Sequence, residues 1–289
     1  MKYIKTVSMV VAAALFLCSF PIFADNSSVD ACAVIGADCT EGDVENVYRD
    51  FGVTRGSVKE ITVTNEEERE LLSDYIDSSI IGTNSLSCVY LQLSETNEGI
   101  DIKINNISWC TEEMYINALT TVGISNVNVI ISAPYSVSGT AALTGIYKAY
   151  ETLTGKELDS TAKDAGADEL TVTAELSDTI GSEDSIAIVN ELKEILNETK
   201  DMSDEELRGQ IIKIADEYNV SLTEDQITQL ISLCRQLEKM DTTELLQRVE
   251  EAKETIRKLG EVKEDAKGFV NKIETFFKRI ANFFANILS

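Results

Sequence analysis

The run Pro134-Tyr135-Ser136-Val137-Ser138-Gly139-Thr140-Ala141-Ala142-Leu143-Thr144-Gly145-Ile146 is the most distinctive stretch of the chain for side chains that could hold a ligand. It leads from the end of an expected strand into the start of an expected helix, where open sheets place ligands and unpaired backbone amides attract anions. Ser136, Ser138, Gly139 and Thr140 are therefore the candidate ligand or anion site, with the amides of Ser138, Gly139 and Thr140 as donors. The same small residues also allow a helix to lie close against a sheet, and the sequence leaves both uses open. No lysine stands where a phosphate-binding loop needs one.

What the sequence lacks narrows the chemistry further. There is no histidine, which excludes His-based serine or cysteine triads, His-ligated zinc and imidazole general bases. The cysteines show no Cys-x-x-Cys spacing, the acids no EF-hand loop, and the glycines neither a dinucleotide fingerprint nor a Walker loop. Ser160-Thr161-Ala162-Lys163 has the Ser-x-x-Lys spacing of penicillin-recognising enzymes. Its companions Ser-Asp-Asn and Lys-Thr-Gly are missing, so the spacing reads as coincidence. Two carboxylates across a cleft could serve a glycosidase, yet among 50 acidic residues no pair stands out. Most of these acids read as a solvated surface. No catalytic residue, metal ligand or cofactor is assigned.

The formal charge is −25 at an apolar content of 44%. That field repels nucleic acid and anionic wall polymers, while the apolar content speaks for a folded core. Residues 1–24 read as a signal peptide: Lys2 and Lys5, an apolar run from Val7 to Phe23, and Ala24 before the cut. A secreted protein, extracellular or associated with the cell envelope, is expected. Removal of that segment leaves five cysteines, Cys32, Cys39, Cys88, Cys110 and Cys234. Cys32 and Cys39 stand at opposite ends of an extended stretch too long for a disulfide, and Cys234 falls on a helical apolar stripe. No disulfide essential to the fold is expected.

The elements that must position the candidate site follow from periodicity. Strands are expected over Ala31–Ile35, Val58–Val63, Cys88–Leu93, Ile100–Ile104 and Val127–Ser132, with period-two alternation clearest in the last two. Ser94 to Gly99 reads as a hairpin turn. Cys39-Thr40-Glu41 repeats as Cys110-Thr111-Glu112, Gly52-Val53 as Gly123-Ile124, and Val58 as Val129. Each copy reads strand, Thr-capped helix, glycine stop, strand, and two such units could pack about a pseudo-twofold. Asn65-Glu66-Glu67-Glu68, Ser203-Asp204-Glu205-Glu206 and Thr223-Glu224-Asp225-Gln226 have the form of capping boxes. Helices are expected around Ala141–Leu153 and Ser160–Leu176, and from Asp184 onward helices alone.

The fold class is thus α+β or α/β, with an α/β domain over 25–180 and a helical region over 181–289. The latter ends in a long amphipathic helix. From Arg257 to Ser289 seven basic side chains face four acidic ones, a reversal within an acidic protein. Phe269, Lys272, Phe276, Phe277, Lys278, Arg279, Phe283 and Phe284 are the candidate membrane or partner contact; burial of the phenylalanines in a bundle is the simpler account.

Several segments together carry a family resemblance. Val34-Ile35-Gly36-Ala37-Asp38, Phe51-Gly52-Val53, Ile81-Gly82-Thr83, Thr121-Val122-Gly123-Ile124, Ala133-Pro134 and the Val137 to Ile146 run resemble the secreted Gram-positive proteins grouped as domain of unknown function one-thousand-and-two. The resemblance implies a secreted Gram-positive protein and transfers no activity. Cys39 stands where that pattern has leucine, which points to a buried side chain. The preferred reading is a non-enzymatic binding or scaffold protein of the cell envelope, with the C-terminal helix as its contact. The alternative is a carboxylate-dependent hydrolase acting on cell-wall polymer.

Overall fold

The computed structural model describes residues 30–94, 99–250 and 252. The segment read as a signal peptide and the Phe-rich contact from Phe269 to Phe284 lie outside them. Five strands form one sheet: β1 (Ala31–Gly36), β2 (Lys59–Val63), β3 (Cys88–Leu93), β4 (Ile100–Ile107) and β5 (Val127–Val137), in the order β2-β1-β3-β5-β4. β1 is parallel to β2, and β4 to β5, while β3 runs antiparallel to both its neighbours. A mixed sheet followed by helices makes the class α+β.

The turn expected between Leu93 and Ile100 does not close a hairpin, because β5 lies between β3 and β4. Ser94 and Gly99 instead flank the entrance of β5: Ser94 N–H donates to Asn126 O at 2.8 Å, and Val127 N–H to Gly99 O at 3.1 Å. Burial explains the order. β4 alternates buried Ile100 and Ile102 with exposed Asp101 and Lys103, which suits an edge. β5 packs Val127, Val129 and Ile131 into one core and Ile130 against the other, which suits the interior.

Both strand-helix-strand units are present, and their caps follow the sequence. Thr40 caps α1 (Glu41–Phe51) and Thr111 caps α4 (Glu112–Val122), each accepting from the amide three residues on. Gly52 and Gly123 end them in the left-handed conformation, at φ 70° and 90°. The expected pseudo-twofold is absent. β1 to β2 and β4 to β5 step the same way along the sheet, yet α1 packs beside Tyr90 and Ile130 while α4 packs on the opposite face with Val129 and Ile131. The two crossovers therefore have opposite hands, and no rotation superposes them.

The second unit's face also carries α2 (Asn65–Leu72), the single turn α3 (Ser78–Ile81) and α5 (Thr140–Thr154). The cap of α2 lies one residue before the expected Asn65: Thr64 takes that place, with Glu67 as its reciprocal partner. Beyond α5 come α6 (Ser160–Ile180), α7 (Ser182–Glu194), α8 (Leu196–Thr199), α9 (Asp204–Glu217), α10 (Glu224–Leu237) and helical residues 242–250. The boxes at Ser203 and Thr223 open α9 and α10 as read. α6 joins the two parts: Ala162, Ala167, Leu170 and Ala174 enter the sheet's core, while Ala165, Val172 and Leu176 enter the helical one.

An ion pair is buried at that junction. Lys193 Nζ of α7 meets Glu169 Oε1 of α6 at 2.7 Å, each side chain 1% exposed. Thr121 of α4 donates its hydroxyl to the other carboxylate oxygen, so one group links three helices. Removing one member of such a pair leaves an uncompensated charge and costs about 3–5 kcal/mol, whereas replacing both by neutral groups costs far less. Lys193→Met is expected to lose that amount in urea denaturation, and Glu169→Gln with Lys193→Met to regain most of it. Unchanged stability of the single variant would contradict this role.

Candidate functional site

β5 ends at Val137, and three residues later α5 begins; that short passage is fixed from the side of α4. Val137 O accepts from Ser108 N–H at 2.9 Å, Ser138 O from Cys110 N–H at 3.2 Å, and Gly139 O from the Tyr115 hydroxyl at 2.7 Å. Gly139 has φ 102°, and a Cβ there would stand 2.5 Å from Tyr115 Oη. Both the conformation and the crowding demand glycine.

Gly139 leaves α5 without a side-chain cap. A carboxyl from elsewhere comes to that end. Glu68 of α2 accepts from Thr140 Oγ1 at 2.5 Å and from Asn65 Nδ2 at 3.3 Å. A negative group near a helix N-terminus is favoured by the aligned peptide dipoles. Burial acts against it: Glu68 is 1% exposed, and the loss of water pushes its carboxyl up from 4.5 to about 7, against the hydrogen bonds from Thr140 and Asn65 and the nearby charge of Arg69.

Glu68 forms part of the wall of a cavity of about 220 Å³. Ser87, Ser138 and Thr140 supply further polar groups, while Ile80, Leu86, Val137 and Ala141 supply apolar surface. Ser138 Oγ lies 3.3 Å from Thr140 Oγ1 and 3.3 Å from Ile80 O. The lining segment from Gly82 to Asn84 is tied to α2 by Arg69, which donates to Gly82 O. Among the described residues that line the cavity, Glu68 is the one acid. Among the described residues no three or more His, Cys, Asp and Glu side chains converge as a metal site requires.

The candidate residues divide here. Ser138 and Thr140 line the cavity, and Gly139 shapes the turn between them. Ser136 is exposed and stands outside the cavity lining. Further into α5, Gly145 lies against the sheet, where a Cβ would stand 3.2 Å from Val89 Cγ2. The middle of the run, from Val137 to Ala141, thus borders a cavity and Gly145 packs on strands, so both uses of its small residues occur. Ser160 and Lys163 take no part: Lys163 pairs with Glu151 at 3.2 Å.

Sequence reading missed Glu68. It took Asn65 as the cap, which makes Glu68 the reciprocal acid of a capping box. With Thr64 as the cap, Glu67 fills that role, and Glu68 falls four residues before Leu72 on the buried side of α2. A glutamate in line with an apolar stripe was the available signal. The wall formed by Ile80, Leu86 and Ser87 had none, because it depends on where β3 enters the sheet.

A family model described as protein of unknown function (DUF1002) matches residues 35–258. An uncharacterised protein of Bacillus subtilis strain 168, YpuA, is 34% identical over 282 residues, which covers 96% of either chain. No solved structure matches the chain.

The raised carboxyl sets a pH dependence. Because folded Glu68 holds its proton more tightly than the unfolded chain does, its contribution is most favourable below about pH 4.5 and is lost as pH rises towards about 7. Asp168, raised from 3.8 to about 7 by burial and then by Glu169 and Glu175, declines in the same direction. Glu68→Gln is expected to remove a fall of up to about 3 kcal/mol across this window, at about 1.4 kcal/mol per pH unit. Urea denaturation at a series of pH values measures it; a variant whose slope matches the wild type would refute the assignment.

Proposed function

The chain belongs to the DUF1002 family of proteins of unknown function, and on that premise we propose that it is a non-enzymatic binding protein of the cell envelope. Its ligand is a small hydroxyl-bearing molecule, or the end of a neutral glycan, taken into the cavity around Glu68. The observation that carries this reading is the composition of that cavity: one buried carboxyl beside the Ser138 and Thr140 hydroxyls, in a lining that also includes apolar Ile80, Leu86 and Val137. A carboxyl and two hydroxyls both donate and accept, as a polyol requires, and the apolar lining residues suit the C–H groups of a sugar. The volume of about 220 Å³ is below the roughly 300–1,000 Å³ of pockets for drug-sized ligands. An acidic protein of charge −25 disfavours an anionic ligand.

A hydrolase acting on wall polymer is the second reading, and the raised carboxyl of Glu68 is what favours it, since a buried acid of this kind suits proton donation. Glycoside hydrolysis needs a second carboxyl about 5–9.5 Å away, and the residues lining the cavity supply Glu68 alone. Attachment at the envelope rests on the sequence: the signal-peptide pattern of residues 1–24 and the basic, Phe-rich segment over 267–288. No described helix is long and apolar enough to cross a membrane.

Titration with neutral mono- and disaccharides and with soluble wall fragments, followed by protein NMR, tests the binding reading. Saturable shifts are expected at Ser87, Ser138 and Thr140, weakened at least tenfold in Thr140→Val and Glu68→Gln. Absence of saturable shifts with every saccharide would contradict binding. Release of reducing ends from wall polymer by the wild type, and not by Glu68→Gln, would favour hydrolysis. Fractionation of cells producing the full chain is expected to place it with wall or membrane; recovery in the cytosol would overturn the envelope assignment.

A further inference from the structure

Cys39 and Cys88 are 49 residues apart in sequence, yet their sulfurs stand 3.6 Å from each other. Cys39 follows β1 and immediately precedes Thr40, the cap of α1; Cys88 opens β3. Both thiols are directed at the same acceptor, Leu86 O, at 3.7 and 3.6 Å. The backbone brings them together: Asp38 N–H donates to Ser85 O at 3.2 Å, and Asp38 Oδ2 accepts from Ser85 N–H at 2.7 Å. Gly36 permits this approach, since a Cβ there would stand 2.4 Å from Ser85 O.

We propose that Cys39 and Cys88 are a thiol–disulfide exchange site, in which Cys39 meets an external disulfide and Cys88 resolves it. Access distinguishes the two roles. Cys39 is partly exposed, whereas Cys32, Cys88, Cys110 and Cys234 are buried. The electrostatics agree: the contact with the Cys88 thiol lowers the pKa of Cys39, against burial and the nearby Asp43 and Asp38. The same pairing, with burial, raises that of Cys88. A position at a helix N-terminus also favours a thiolate. The amide of Gly36 donates to Cys88 Sγ at 3.3 Å, a contact that steadies negative charge on this sulfur when it attacks.

The exchange closes chemically with a small disulfide such as oxidised glutathione as oxidant. Cys39 thiolate attacks one of its sulfurs, forming a mixed disulfide and releasing one glutathione thiolate. Cys88, giving up its proton to solvent, then attacks Cys39 Sγ and expels the second glutathione thiolate. Two protein thiols are oxidised by two electrons, one disulfide is reduced to two thiols, and the protons released by Cys39 and Cys88 appear on the leaving thiolates. The pair is independent of the binding reading, and both cysteines are free thiols in the fold described.

The test uses the full chain, reduced, desalted and equilibrated without oxygen against a range of reduced-to-oxidised glutathione ratios. Acid quenching, alkylation in denaturant and peptide mass spectrometry then count the remaining thiols. The expected result is the joint loss of two alkylatable thiols, with a linked peptide pair containing Cys39 and Cys88, restored by dithiothreitol. Cys88→Ser is expected to accumulate glutathione on Cys39, and Cys39→Ser to leave Cys88 alkylatable. Wild-type thiols that stay fully alkylatable at the most oxidising ratio would overturn the proposal. So would a bridge from Cys39 to any other cysteine formed as readily as that to Cys88. Both readouts come from the wild type, so neither depends on how a variant folds.

Discussion

β5 has to enter the sheet between β3 and β4, two strands joined by a short connection, and the cavity depends on that insertion. At the entrance, Asn126 adopts φ 55° and its carbonyl takes the amide of Ser94, while its side chain takes the amide of Gly99 at 3.3 Å. The strand then runs parallel to β4 from Val127 onward, and at its far end the amide of Ser108 still reaches Val137 O. Because β4 and its sequel hold this end of β5, the first turn of α5 has one place to start. Ser138 and Thr140 are delivered there by strand pairing; their own local propensity does not place them.

What arrives opposite them is a carboxyl under competing pulls. The start of α5, with glycine at its cap position, favours negative charge, and Thr140 and Asn65 donate to it. Burial of the same group favours the neutral acid more strongly. Near neutral pH the two forms are therefore close in free energy, so a ligand that donates or accepts can select between them at little cost. The acids exposed on the surface of the protein lack this property because water already stabilises their charge. Burial thus sets Glu68 apart from the exposed acids, while Glu169, also buried, is held as the partner of Lys193.

Legibility in the sequence follows the range of the interactions involved. Thr40, Thr111, Ser203 and Thr223 cap helices through contacts spanning three residues, and each could be read directly. The strands could be read from their burial pattern, although Asn105 to Ile107 and Ala133 to Val137 extend beyond it. Strand order could not, since six residues between two strands suggest a hairpin and nothing local announces a third strand between them. The bond from Thr140 to Glu68 spans 72 residues and the contact of Cys39 with Cys88 spans 49. Both depend on that order. The repeated Cys-Thr-Glu pattern illustrates the limit from the other side: it reports shared capping, while the faces and hands of the two units differ.

The state of Glu68 tests the account most directly. Carbon-13 NMR of the glutamate side-chain carboxyls, followed from acid to alkaline pH and compared with Glu68→Gln, reads it without relying on stability or on a ligand. The account predicts one glutamate signal titrating with a midpoint at about 7, present in the wild type and missing from the variant. Glutamates that all titrate near the ordinary value of about 4.3 would contradict it.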